Sequence, residues 1–373
     1  MRRSSFDRTG GVSVLFCCVT KTNLLCLHNF VCVPSDIPYF QSLPGTNIPL
    51  SSPIHLAVGT PTTPPSKAVG KLPALGWVHC RAHNRALYIS EEKILAAARS
   101  FVSLGLREAG YEYVNIGACL FLPLFGHEQI PDPVKFSNGI KAVVDDVHSL
   151  DLKIGIYRRV DAGTETCARY PGSLGYEAID AATWASWDID YLKYGNTTRM
   201  TDYRTTTNDL SRNDDCLIWG SIASAAIADN DPPMQYVLCI WRDARVWTWG
   251  ARVGHSWRMA GDSTPTWEYI KLIMSINVAH LSSVDFFSHN GMDMMEVGNG
   301  NLTIEEERTH FAVWAFMKSL VLLGTDLAAI SPEEVEIVTN AELIAFLQDT
   351  TEANPASHSS IPAGRPRVYT YSL

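Results

Sequence analysis

Apolar positions recur at helical spacing in several segments of the chain, beginning near residue 90. Ser90 precedes EEKILAAARSFVSL, in which Ile94, Ala98 and Phe101 fall on one face and two acidic residues occupy the first turn. Such a stripe predicts a helix that begins after Ser90, and Gly105 suits its end. The same spacing predicts further helices at Ile140 to Val147, EAIDAATWASW and TWEYIKLIMSINVAH, and a Thr303–Glu306 capping box predicts one through Met317.

Short apolar runs with little polar alternation lie between these helices. The runs are LGW at 75–77, YEYVNI at 111–116, KIGIY at 153–157, DYLKY, QYVLCIW, GHSWR and LVLLG at 320–324. Counted from LGW, the chain has about eight strand candidates, and these seven runs are among them. Apolar strands that are joined through helices are typical of a parallel sheet covered on both faces.

Eight such units predict an α/β protein of the closed (β/α)₈ TIM barrel type, and the absence of GxGxxG after the first run weighs against a dinucleotide-binding sheet. In a barrel, functional side chains lie at the carboxyl ends of the strands. The positions of interest are therefore 117–118, 157, 195, 240, 262 and the loop around 293.

Composition narrows the possible ligands. The chain has 373 residues and a formal net charge of −9, without a basic face for nucleic acid, and no uninterrupted apolar run reaches the length of a membrane span. Its nine cysteines include no CxxC pair, so a zinc site is not expected. We expect no metal and no cofactor, and neither nucleic acid nor membrane as a partner.

The first part of the chain differs from the rest in composition. MRRSSFDRTGGVSVLFCCV resembles a degraded signal sequence interrupted by Lys21, and residues 34–73 are rich in Pro, Ser, Thr and Gly, as linkers are. We therefore expect residues 1–71 to be a disordered or degraded signal and linker segment, and residues 72–350 to be the barrel. Two sequons, at Asn196 and Asn301, fit a secreted protein.

Eight stretches, in order over residues 71–350, resemble the family 27 glycoside hydrolases, the retaining α-galactosidases, and most closely their fungal secreted members. They are KLPALGW, SLGLREAGYEYVNI, DPVKFSNGIKA, TCARYPGSLGYEAIDA, DYLKY, HSWRMAGD, MEVGNGNLT and HFAVWAFMKS. The resemblance implies a TIM barrel followed by an antiparallel β domain, of which residues 351–373 would be only a remnant of the lead-in. It also implies an α-galactoside, or another carbohydrate, as ligand.

By this resemblance Asp262 is the catalytic acid/base, and the nucleophilic aspartate should follow YLKY, where this chain has Gly195. Retaining hydrolysis needs two carboxyl groups about 5 Å apart. Other sugar-contacting positions of the family are also substituted. They are Cys80 for a tryptophan, Gly117 and Ala118 for two aspartates, and Ile240 for an acidic residue.

Five matching positions keep the family residue, and the resemblance assigns them to the galactose ring and its leaving group. They are Tyr157, Lys193, Arg258, Asp262 and Asp293. Each also has a structural interpretation. Asp262 could cap the following helix, Lys193 could point to solvent, Arg258 could form a core ion pair and Tyr157 could be a core phenol.

Two further expectations follow from the substitutions. By the same resemblance, Cys119 and Cys167 should lack their disulfide partners. The position expected to pair with Cys167 is Thr197, and the segment before SEEK contains no cysteine to match Cys119. Asp161 or Asp293 could replace the lost carboxylate only at the wider separation of an inverting enzyme, which we disfavour.

Three hypotheses about function remain open at the level of the sequence. The chain is an α-galactosidase homologue with little or no activity, a non-catalytic carbohydrate-binding pseudoenzyme, or the product of a decayed or misjoined gene. The joint change of Cys80, Gly117, Ala118, Gly195 and Ile240 favours the first or the third.

Overall fold

The computed structural model describes residues 17–20, 23–26, 66–78, 89–117, 129–159, 173, 176–195 and 220–353. Strand β1 (Cys17–Thr20) pairs with β2 (Asn23–Cys26) in an antiparallel hairpin. The hairpin belongs to one compact unit, and residues 58–357 form the other.

The larger unit is built on a sheet of eight parallel strands. The strands are β3 (Leu75–Val78), β4 (Tyr113–Ile116), β5 (Lys153–Arg159), β6 (Tyr191–Gly195), β7 (Gln235–Cys239), β8 (Ser256–Arg258), β9 (His289–Gly291) and β10 (Val321–Leu323). Each strand from β3 to β8 pairs with the next one in the chain, and β10 pairs with β3.

Strands β9 and β10 lie at the two edges of the sheet, and the residues that follow β9 connect these edges. The amide of Met295 donates to Leu322 O at 2.7 Å, and the amide of Gly324 donates to Met295 O at 2.9 Å. Met295 and Leu323 form a parallel bridge. These bonds join the two edges of the sheet, so the strands form the closed (β/α)₈ barrel that the sequence predicts.

Helices cover the outside of the barrel. They are α1 (Glu91–Ser103), α2 (Gly139–His148), α3 (Glu177–Ser186), α4 (Trp267–Val278), α5 (Ile304–Phe316), α6 (Pro332–Val338) and α7 (Ala341–Leu347), with helical residues also at 220–227. Short 3₁₀ segments occur at Asp243–Thr248, Gly250–Arg252 and Leu281–Ser283. None of the described helices is both long and apolar enough to span a bilayer.

The predicted apolar faces are buried. Ile94, Ala98 and Phe101 of α1 have no exposed surface, and the stripe of α2 is buried in the same way. Inside the barrel, residues from several strands form one cluster, which consists of Ala74, Tyr113, Tyr191, Val237, Leu320 and Leu322, with Val78 packed against it. The core therefore fills the barrel toward the amino-terminal ends of the strands, and the carboxyl ends are left for polar groups.

Residues 66–73, which the composition assigns to the linker, contact the barrel instead. His255 Nε2 donates to Ser66 O at 2.7 Å, and His289 Nε2 lies 3.3 Å from Gly70 O. A Cβ on Gly70 would lie 2.5 Å from the His255 ring, so only glycine allows this approach. We refer to residues 66–71 as the strap.

The structure confirms the predicted fold class, and it differs from the sequence analysis in strand β9 and in helices α6 and α7. Strand β9 has the sequence HNG, which is no apolar run, so the sequence pattern predicts only a loop around residue 293. Helices α6 and α7 have seven residues each and are too short to show a periodic stripe.

Candidate active site

The candidate active site lies where strands β5 to β9 end. Tyr191 belongs to the barrel's interior cluster, and side chains alternate along a strand, so Lys193 and Gly195 face the interior as well. Tyr157 is the register partner of Lys193 on β5, and Cys239 is the partner of Gly195 on β7. Lys193 is half-buried, so it faces the interior of the barrel and keeps some contact with solvent at the strand end.

Tyr157, Lys193 and Gly195 are in direct proximity. The Lys193 ammonium lies 4.9 Å from the centre of the Tyr157 ring, within cation–π range. A Cβ built on Gly195 would lie 2.7 Å from the Tyr157 hydroxyl. These three predicted site residues are thus brought together.

Arg258 is the last residue of β8, and its guanidinium is buried against a carboxylate. Arg258 Nη1 lies 2.6 Å from Asp293 Oδ1, and the two side chains are 5% and 9% exposed. Burial lowers the pKa of Arg258, but the interactions with Asp293, Cys239, Asp262 and Tyr157 together outweigh this effect and raise the pKa above its ordinary value. The second nitrogen, Nη2, donates to the carbonyls of Ala260 and Gly261. The core ion pair considered from the sequence therefore exists, and it fixes the guanidinium at the mouth.

Asp262 lies in the loop after β8 and is the accessible carboxylate of this group. Its side chain is 63% exposed, and Oδ1 lies 3.3 Å from Arg258 Nη2. Helix α4 begins at Trp267 with Thr266 as its N-cap residue, so Asp262 does not cap it. An exposed carboxylate beside a fixed guanidinium can exchange protons with a bound ligand.

The loop that carries Asp262 is held by two residues that the sequence analysis missed. The Ser263 amide donates to Asp293 Oδ2 at 2.6 Å, and the Ser263 hydroxyl donates to Glu296 Oε1 at 2.6 Å. Glu296 is fully buried between Met295 and Val297. A carboxylate between two apolar residues was the available signal, because a buried charge needs specific partners.

The substituted positions are only partly covered by the described residues. Gly117 follows β4, and Ile240 follows β7, where it is buried. Cys80 and Ala118 lie outside the described residues, as do Asp161, Cys119, Cys167 and Thr197. The disulfide expectation therefore stays a prediction.

The described residues give the mouth two fixed cations, one phenol and one accessible carboxylate. Such groups can bind hydroxyl-rich ligands and supply a general acid. The backbone at Gly195 provides no carboxylate for a covalent intermediate. No cluster of three or more His, Cys, Asp or Glu side chains within the described ranges could hold a metal ion.

Comparison with known proteins identifies the family. A sequence profile described as alpha galactosidase A (Melibiase_2) matches residues 73–349. The chain belongs to the α-galactosidase family, glycoside hydrolase family 27.

Known α-galactosidases of fungi are similar to this chain. It is 43% identical to the "Probable alpha-galactosidase B" of Aspergillus clavatus over 318 residues, which cover 77% of this chain and 70% of that protein.

Solved α-galactosidase structures are similar as well. α-Galactosidase I of Mortierella vinacea is 34% identical with a TM-score of 0.68, over 77% of this chain and 75% of that one. The Saccharomyces cerevisiae α-galactosidase with raffinose is 28% identical with a TM-score of 0.67, over 78% and 67%.

Proposed function

We propose that this α-galactosidase-family protein hydrolyses α-galactosides negligibly. The observation that carries the proposal is Gly195 at the carboxyl end of β6, where the family resemblance places the nucleophile. A covalent glycosyl-enzyme cannot form on a residue without a side chain. Asp262 as a general acid alone supplies only about 10²–10⁴-fold acceleration.

Weakened sugar binding supports the same conclusion. The carboxylates that the resemblance expects at positions 117, 118 and 240 are replaced by Gly117, Ala118 and Ile240. Carboxylate oxygens accept hydrogen bonds from sugar hydroxyls, and a site without them loses orientation and selectivity. The aromatic surface expected at Cys80 is missing too.

The direct test is turnover of p-nitrophenyl α-galactoside by the purified full-length chain. We expect release of p-nitrophenol at the rate of the Asp262→Asn variant, because neither protein can complete the double displacement. Rapid release that Asp262→Asn abolishes would refute the proposal.

Restoring the family residues tests which losses matter. Gly195→Asp alone should restore little turnover, because the sugar is still not held. We expect turnover from the combined variant Cys80→Trp, Gly117→Asp, Ala118→Asp, Gly195→Asp and Ile240→Glu. The matched control is the same combination with Asp262→Asn, which should again be inactive.

A second candidate function is carbohydrate binding without catalysis. It is favoured by the retained Lys193, Tyr157 and Arg258 with its bound Asp293. Calorimetric titration with raffinose, the sugar present in the related yeast structure, distinguishes the two candidates. Saturable binding that Arg258→Ala removes supports the binding function, and the absence of binding supports an inactive homologue.

The closed barrel bears on the third hypothesis. Its edge bonds through Met295 and the buried pair of Arg258 with Asp293 support a chain that can fold. Sequencing the transcript tests whether the substituted positions arise from a misjoined gene.

We also propose export of the protein. Asn301 of the sequon Asn301–Thr303 is exposed in the turn before α5, where a glycan could be attached. Expression in a eukaryotic secretory host should give a glycopeptide at this site that Asn301→Gln removes. An unmodified, intracellular product would contradict export.

A further inference from the structure

The space beside Gly195 is occupied. A Cβ on Gly195 would lie 2.7 Å from the hydroxyl and 3.0 Å from Cε2 of Tyr157, and 3.3 Å from the carbonyl oxygen of Cys239. Ordinary contacts between carbon and other heavy atoms lie at about 3.5–4.0 Å. Any side chain at position 195 therefore requires the phenol to move.

The position of the Tyr157 ring follows from its neighbours. Tyr157 pairs in register with Lys193, whereas Gly195 pairs with Arg159, two positions farther along β5. The phenol thus extends along the strand direction toward the mouth to reach Gly195. The Lys193 ammonium, 4.9 Å from the ring centre, stabilises the ring in this place.

We propose that the phenol of Tyr157 occupies the space in which the side chain of a nucleophile at position 195 would lie. Gly195 and Tyr157 are therefore a coupled pair, because the phenol fits only where residue 195 has no side chain. The inference deepens the proposed function. At this point the site presents a phenol beside a lysine to a ligand, where the family resemblance expects a carboxylate.

The position of the Tyr157 phenol also changes what we expect when an aspartate is restored at position 195. An aspartate introduced at 195 alone meets the phenol as well as an incomplete sugar site. Removal of the Tyr157 hydroxyl takes away the nearest of these contacts and leaves the ring over Lys193 in place. The closing experiment measures stability, so it does not depend on whether the chain turns over galactosides.

The experiment is a double-mutant cycle on the full-length chain with Gly195→Ala and Tyr157→Phe, followed by thermal unfolding. Gly195→Ala alone should lower the midpoint by roughly 2–8 °C, because it overpacks a filled space. In the Tyr157→Phe background the same substitution should lower the midpoint by less than half as much. If Gly195→Ala yields no soluble protein, the double variant should restore soluble barrel.

Gly261 provides the matched control. It also lies at the mouth, its backbone φ is outside the left-handed region, and a Cβ there would meet another phenol, that of Tyr269, at 3.2 Å. Tyr157→Phe should leave the effect of Gly261→Ala unchanged. The proposal is overturned if Gly195→Ala leaves the midpoint unaltered, if Tyr157→Phe does not reduce its effect, or if the double variant is insoluble like the single one.

Discussion

Two aspartates lie beside Arg258, and their surroundings give them different parts in the molecule. Asp293 is buried and binds both the guanidinium and the Ser263 amide, whereas the side chain of Asp262 is 63% exposed. Breaking a buried pair leaves an uncompensated charge, but an exposed pair contributes little. The family resemblance assigns both aspartates to contacts with the sugar. Their different burial indicates that Asp293 holds the structure together, whereas Asp262 is open to a ligand.

We therefore predict that Asp293→Asn destabilises the protein and Asp262→Asn does not. Asn accepts the left-handed backbone of position 293, where φ is +79°, so the change mainly removes charge. The expected loss is roughly 3–5 kcal/mol for Asp293→Asn and within about 0.5 kcal/mol for Asp262→Asn. Urea unfolding of the two variants measures this, and equal losses would contradict the buried-pair assignment.

At the scale of elements, helix α5 shows how local sequence fixes a boundary. The Thr303 amide donates to Glu306 Oε2 at 2.8 Å, and the Glu306 amide donates back to the Thr303 hydroxyl at 3.4 Å. This is the capping box that the sequence predicts. It begins the helix directly after the loop that contains Glu296.

Thr303→Ala should lower the free energy of unfolding by about 1 kcal/mol, because one amide of the first turn loses its acceptor. Thr303→Ser keeps the hydroxyl and serves as the control. Chemical unfolding of the two variants makes the comparison, and a Ser variant as unstable as the Ala variant would show that the cap is not the cause.

The strap is an element that depends on buried histidines. Burial lowers the pKa of His255, and it lowers the pKa of His289 from 6.5 to about 3. Since the folded-state pKa of His289 is below its unfolded value, the neutral ring contributes full stability above about pH 6.5. That contribution is lost as the pH falls toward 3.

We predict that His289→Gln makes the free energy of unfolding less dependent on pH between pH 3 and 7. Gln keeps a donor for Gly70 O but cannot be protonated, so up to about 1.4 kcal/mol per pH unit should disappear from the slope. Urea midpoints between pH 3 and 7 for the wild type and the variant measure the difference. Parallel curves would exclude His289 as a source of acid sensitivity.

At the scale of the whole molecule, the barrel depends on one junction. Strands β9 and β10 are short, and the edges meet through the bonds of Met295 with Leu322 and Gly324. The closure also places the loop of Met295 and Glu296 beneath the loop that carries Asp262, through the bond from Ser263 to Glu296. The junction therefore connects the fold to the site.

Hydrogen exchange tests the closure. Amides in peptides that span 292–296 and 321–325 should exchange as slowly as those of β4, because both are bonded within the sheet. Mass spectrometry of the full-length chain gives these rates. Rapid exchange at 292–296 beside a protected β4 would indicate an open sheet.

The sequence by itself determined the repeating architecture. Apolar runs separated by amphipathic helices allow little besides a parallel sheet covered with helices, because each run must be buried on both sides. It also determined that position 195 lacks a carboxylate, which is a property of one residue. The capping box of α5 followed from local residue types, since capping uses atoms close in the sequence. Helix α1 begins after Ser90 as predicted, but the Ser90 side chain makes no capping hydrogen bond.

The tertiary structure decided what depends on residues far apart in the chain. HNG is a strand because its backbone bonds to a neighbouring strand. The strap is held by His255 and His289, and Asp262 differs from Asp293 in burial. All three features arise from contacts across the barrel. Sequence patterns indicate which residues are buried. They do not indicate which residue pairs with a buried charge, or which side chain occupies the space left where another side chain is missing. For that reason the Tyr157 phenol beside Gly195 could be found only in the folded chain.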